Sequence, residues 1–244
     1  MVLFSCTSQD EPVENIKLSW KSYRNGIFDS DGIRLFAGEN PDIPLKAFYA
    51  EIDLSSPNVD VEVVSGNDDD LKETPSQIAE RLNAYVVVNG GYFLMNKNPA
   101  EHVGLLKTKD STISAPLLSV LRNGKRYFTT RGTIGFSKAS VDISWVSGRQ
   151  DTLFSFQNSL NNQLNKSPAI LDFQKGTHWE VESAISGGPV LVQNKKIFIT
   201  DDEEVFFGTT IPNIHPRTAI GYTEDDTLII LVVDGRQPSS RGVY

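Results

Sequence analysis

The stretch HPRTAIGYTEDDTLIILVVDGRQ, residues 215–237, sets a cation and an anion at the two ends of one expected hairpin. Arg217 stands at the mouth of an apolar strand, and Asp234 closes a run of six apolar residues, Leu228 to Val233. A guanidinium presents a planar fork of donors that matches carboxylate or phosphate oxygens. An aspartate at the end of so apolar a run is costly unless it is paired or functional. Counting inward from the EDD turn puts the two side chains roughly opposite each other on adjacent strands. Two meanings stand side by side: an anion site with a carboxylate next to it, or a structural ion pair closing the hairpin. Arg236 adds a second cation close by.

Two glycine pairs widen the chemistry. In VVVNGGYF, residues 86–93, Gly90 and Gly91 follow an expected strand and allow positive φ and close approach of a ligand to backbone N–H groups. Asn89 suits a sugar hydroxyl, and Tyr92 or Phe93 a sugar ring; a tight turn with an aromatic tucked into the core fits the same residues. In AISGGPVLV, residues 184–192, Ser186, Gly187 and Gly188 again offer bare amides before a strand, or simply a turn leading into it. The order is neither the nucleophile elbow, which needs Gly-x-Ser-x-Gly, nor a P-loop, which needs a Gly-Lys-Ser/Thr ending. His102, His178 and His215 are the only histidines and lack the helical spacing of a metal pair. DDEE, residues 201–204, reads as a solvated loop, and so does NDDD, residues 67–70.

The elements that position these residues are mostly short strands. LKAFYAEIDL (45–54) and VDVEVVS (59–65), joined by SSPN, predict a hairpin. TPSQIAERL predicts a helix, with Thr74 as cap, Pro75 at the first position and Gln77 completing a capping box. YVVVNGG follows as a strand. Asn123-Gly124 marks a second hairpin and PVLVQNKKIFIT a third, turning at 193–195. GTIGFS and VDISWVS extend the β region; 151–180 reads as loops with a short helix near Leu160, and Leu228 to Val233 as a central strand. The expectation is an α+β, strand-rich fold with a mixed or antiparallel sheet and a few helices, in one domain over 16–244 behind an N-terminal tether, 1–15.

Composition narrows the partners. Of 244 residues 23 are basic and 31 acidic, a net charge of −8 with Lys and Arg scattered, so the chain lacks a nucleic-acid footprint. No run approaches a transmembrane span. Cys6 is the only cysteine, which excludes an intrachain disulfide and a cysteine metal site. Leu3-Phe4-Ser5-Cys6 resembles a bacterial lipobox, predicting a lipid anchor on Cys6 and an extracytoplasmic place in the cell envelope or at the surface.

Taken together and in this order, VVVNGGYF, SGGPVLV and HPRTAIGY…LVVDGRQ resemble the phosphodiester glycosidase family over about residues 80–240. The resemblance implies hydrolysis of a sugar-1-phosphodiester to a free sugar and a phosphomonoester. Carried over by position, it singles out Asn89, Gly90, Gly91, Ser186, Gly187, Gly188, Arg217, Thr218, Asp234 and Arg236. Residue chemistry supplies roles: Arg217 grips the phosphate, the glycine amides complete a cradle, and Asp234, or second Glu101 in PAEHVG, stabilises an oxocarbenium-like centre or activates water. His102 or His215 would shuttle protons. Members of the family usually continue into an Asp-Gly-Gly-Gly-Ser stretch, whereas this sequence stops at SSRGVY, so the expectation is either a truncated sequence or a protein that lacks part of the site. The residues call for no cofactor and remain compatible with a divalent cation. The expected partner is a sugar phosphate or glycan. A non-catalytic surface glycan-binding lipoprotein and a phosphodiesterase cutting P–O are the rival readings.

Overall fold

A computed structural model describes residues 16–23, 32–94, 96–138, 140–211 and 213–244. Cys6 and the tether expected over 1–15 lie outside the described residues. Two antiparallel sheets dominate. The first has five strands in the order Ser19–Ser22, Ile33–Glu39, Lys46–Asp53, Thr227–Val233 and Arg217–Tyr222. The second has seven, in the order Thr177–His178, Thr152–Phe156, Ser140–Arg149, Arg131–Ser137, Ser183–Ser186, Leu106–Lys107 and Thr112–Ser114. Three two-stranded ribbons complete the β structure.

The sheets face each other across one apolar layer. Ala50, Ile52 and Leu228 from the five-stranded sheet meet Ile134 and Phe136 from the seven-stranded sheet, with Ile185, Ile143 and Ile230 around them. Strand alternation delivers these side chains to one face. Thr227–Val233 is flanked on both sides, which its near-continuous apolar sequence requires.

The α+β expectation is corrected: the described chain is mostly β, with eighteen strands, one α-helix and one 3-10 turn; of the two sheet forms expected, mixed or antiparallel, the pairing is antiparallel. The helix Pro75–Leu82 forms as its capping box predicts, with Thr74 accepting from Gln77 N and Asn83 ending it at φ 52°. None of its residues is buried, so it makes no layer of its own. The hairpin expected between 45–54 and 59–65 is absent. Lys46–Asp53 has both edges occupied, by Ile33–Glu39 and Thr227–Val233, and offers no edge to a third partner. Val59, Val61 and Val63 still pack on the core, but from an extended segment outside any ladder, and Val86 of YVVVNGG does the same. The loop region 151–180 contains the strand Thr152–Phe156, and its short helical turn falls at Phe173–Lys175 instead of near Leu160.

Candidate functional site

The first glycine turn is shaped by crowding. Gly91 has φ 67°, and a Cβ there would sit 2.2 Å from His102 Cε1 and 3.1 Å from the carbonyl oxygen of Ser186. Only a glycine lets this turn approach the His102 ring and the Ser186 carbonyl so closely. Beyond it, Tyr92–Leu94 pairs with Glu101–Val103, with Phe93 opposite His102. Gly91→Ala is therefore expected to destabilise the fold by about 2 kcal/mol or more, from the left-handed backbone and the collision together; a denaturant midpoint equal to wild type would contradict this.

The second turn is held from below. Ser186 is buried, its Oγ accepting from Leu105 N at 3.1 Å and sharing a hydrogen bond with Thr133 Oγ1 at 2.9 Å. Gly187 N donates to Gly132 O, so this amide, expected to cradle an anion, is engaged in the fold. Gly188 has φ 88°, and a Cβ on it would fall 2.2 Å from Glu204 Oε2. Its carbonyl accepts from Tyr92 OH at 2.9 Å, which ties the two glycine turns together.

Glu204 ends the acidic run expected to be a solvated loop, but it is fully buried. Its Oε2 accepts from Gly132 N at 2.8 Å, and its Oε1 from Thr200 Oγ1 at 2.7 Å, Val190 N at 2.9 Å and Trp145 Nε1 at 3.0 Å. Burial raises its proton affinity above that of an ordinary carboxylate, and these donors oppose the rise. The signal for it was the VFF that follows, which drags the end of the acidic run inward: Val205, Phe206 and Phe207 are all buried. Arg131 was missed as well. It heads the strand RGTIGFS as Arg217 heads RTAIGY, and it is 7% exposed.

Arg217 is registered with Val233, not with Asp234. The expected opposition was one residue out: Asp234 follows the last residue of its strand. The Arg217 Nη2 donates to the carbonyls of Ile211 and Asn213, each at 2.6 Å. Burial pulls its pKa down; Tyr92 opposes the shift and Arg236 adds to it. Asp234 accepts from Gly235 N at 2.8 Å and Gln237 Nε2 at 3.3 Å. No ion pair joins it to Arg217 among the described residues, so the hairpin is not closed by a salt bridge.

The remaining candidates divide. Thr218 Oγ1 donates to Asn89 Oδ1 at 3.0 Å, bringing the hairpin onto the first glycine turn. Arg236 Nη2 lies 3.0 Å from His215 Nδ1. Arginine only donates, so Nδ1 accepts and a neutral His215 carries its proton on Nε2, a buried atom without a partner among the described residues. Glu101 stands apart, its side chain 61% exposed and 3.6 Å from Lys97. Alternation points it away from the face on which His102 meets Gly91.

His102 Nε2 is buried and unpartnered, and burial holds its pKa below the ordinary 6.5. A depressed histidine contributes stability that is complete above the unfolded value and is lost as pH falls through the folded one. Below about pH 6.5 the unfolding free energy of wild type should therefore decline more steeply than that of His102→Gln. Parallel slopes in denaturant titrations would refute it.

Asn89, Gly90, Gly91, Tyr92, Ser186, Gly188, Arg217 and Thr218 thus form one connected corner, with His215 and Arg236 next to it. Two cavities, of about 340 and 600 Å³, lie along Thr152–Phe156, and none of the sequence-derived candidates lines either. Among the described residues no helix is long and apolar enough to cross a membrane.

No curated protein matches the chain. Its fold is similar to that of a hypothetical protein from Synechocystis, at 14% identity and a TM-score of 0.52, covering 84% of this chain and 51% of that one. It also matches a Burkholderia pseudomallei protein named as a candidate exported protein, at 14% identity and a TM-score of 0.47, covering 85% of this chain and 64% of that one. The chain therefore spans about half the length of the Synechocystis protein. The family model described as phosphodiester glycosidase matches residues 82–244, a span that takes in both glycine turns, Arg131, Glu204 and the terminal hairpin. By that match, over two thirds of its length, this chain belongs to the phosphodiester glycosidase family.

Proposed function

We propose that the protein hydrolyses a sugar-1-phosphodiester at the anomeric C–O bond, releasing a free sugar and a phosphomonoester. The observation that carries this reading is the meeting of two glycine turns and Arg217 around Tyr92. The leaving group is a phosphate, stable as an anion, so fixed positive charge matters more than a strong general acid. Arg217 has no carboxylate partner among the described residues, and only its Nη2 is engaged, with two carbonyls. Its remaining donors suit phosphate oxygens. The amides of Gly90, Gly91 and Gly188 accept no role in the backbone ladders and complete the cradle. Asn89 keeps its amide N–H donors for a sugar hydroxyl while its oxygen accepts from Thr218. Asp234 is the carboxylate carried forward, as oxocarbenium stabiliser or as base for water. The protein would act outside the cytoplasm, anchored through Cys6.

Hydrolysis of an activated sugar-1-phosphodiester in isotopically labelled water tests the bond assignment. Cleavage at carbon puts the label on the sugar; label in the phosphate would make the protein a phosphodiesterase instead.

One observation favours a second reading. The 600 Å³ groove is lined by Ser155, Gln157, Asn158, Ser159 and Asn161, amides and hydroxyls suited to sugar hydroxyls. A glycan held there and recovered intact, with no turnover of any phosphodiester, would make the protein a binding module.

A further inference from the structure

Arg131 is buried in a way that its surroundings do not balance. It heads the strand Arg131–Ser137, is 7% exposed, and lays its guanidinium carbon 3.9 Å from the centre of the Phe206 ring. A guanidinium has five N–H donors, and buried donors without acceptors are costly. Among the described residues none of these donors reaches a protein acceptor, and Nη1 is closed off from solvent without a partner. Glu204 is the anion that Arg131 feels most strongly, yet both its oxygens are taken by four other donors. It offsets charge at a distance and satisfies no hydrogen bond. Burial costs the cation enough to pull its pKa down to about 10.

The neighbours add positive charge. Arg122 lies near enough to depress Arg131 further, and Arg131 and Arg217 both act on the Tyr92 phenol. The Tyr92 and Phe206 rings are 5.8 Å apart, and Tyr92 is fixed by one hydrogen bond to Gly188 O. In a chain of net charge −8, two guanidiniums thus act on one phenol, and a third, Arg122, acts on Arg131. Such an arrangement answers to an oxyanion.

We propose that Arg131 is the second guanidinium of an oxyanion site, facing from the Phe206 side the phosphoryl group that Arg217 holds, and that the site prefers the dianionic phosphomonoester to the monoanionic diester. The placement rests on the glycosidase reading. A diester carries one charge, and breaking its bond to the sugar gives the phosphate a second that persists at neutral pH. A cation that gains most from that second charge stabilises the transition state more than the bound substrate.

Calorimetric titration at about pH 7.5, where phosphate is mainly dianionic, tests this without turnover. Wild type should bind inorganic phosphate about tenfold or more tighter than dimethyl phosphate. Arg131→Met keeps the contact with Phe206 and should lose about tenfold or more of the phosphate affinity. Unchanged affinity in that variant, or no phosphate binding by wild type, overturns the proposal and leaves Arg131 as a counter-charge for Glu204. Should the variant fail to fold, the Arg131 Nε–H resonance of ¹⁵N-labelled wild type decides: it shifts with phosphate and saturates, or it stays put and the proposal falls. Phosphate bound through Arg131 by a protein that cleaves no diester would refute the hydrolase reading alone.

Discussion

Arg217→Ala is expected to lower kcat/KM for an activated sugar-1-phosphodiester by about 10²–10³-fold, the scale seen when one preorganised oxyanion donor is removed. Among the described residues its Nε and Nη1 donors have no partner and no carboxylate pairs with it, and with its partly buried position this leaves its charge available to a ligand. The loss should fall mainly on kcat, because charge accumulates on the phosphate as the sugar–oxygen bond breaks. Arg217→Lys should recover part of it, since a point charge replaces the fork without its two-oxygen geometry. Asp234→Asn should cost a comparable factor through loss of the carboxylate, with KM little changed. If steady-state kinetics show both variants within twofold of wild type, neither residue belongs to the machinery.

The second large effect is on stability. Glu204→Gln should destabilise the protein by about 3–5 kcal/mol, the range for breaking a buried, fully bonded charged group. A glutamine amide placed at the Oε1 position meets Val190 N–H and Trp145 Nε1–H, donor against donor; placed at the Oε2 position it meets Gly132 N–H. Either orientation strands a buried N–H. Against a total stability of about 5–15 kcal/mol, that is a large fraction. Urea midpoints with an unchanged m-value measure it, and a gap under about 1 kcal/mol would show that Glu204 is not the fastening described.

Local chemistry was legible in the sequence, and distant pairing was not. Thr74, Pro75 and Gln77 announce the helix because capping acts within four residues. Asn123-Gly124 announces its hairpin because two residues set the turn, and both take positive φ. The terminal hairpin also formed, but its register slipped by one from the expectation, since no sequence feature fixes which of Val233 and Asp234 faces Arg217. SSPN looked like a hairpin turn, yet strand 46–53 pairs instead with segments far from 59–65. Glu204 and Arg131 are harder to read for another reason. Charge on a side chain argues for solvent, and beyond the VFF after Glu204 it is the partners gathered from elsewhere in the chain that reverse that argument.

The pairing of Lys46–Asp53 with Thr227–Val233 has a consequence for how the molecule is made. During synthesis one flank of the earlier segment stays open while some 170 further residues emerge, because its neighbour lies that far along the chain. Contacts of such long sequence separation make folding slow. Over that interval the nascent chain carries a sticky, unguarded rim, so a holding chaperone that covers it should raise the yield of native protein.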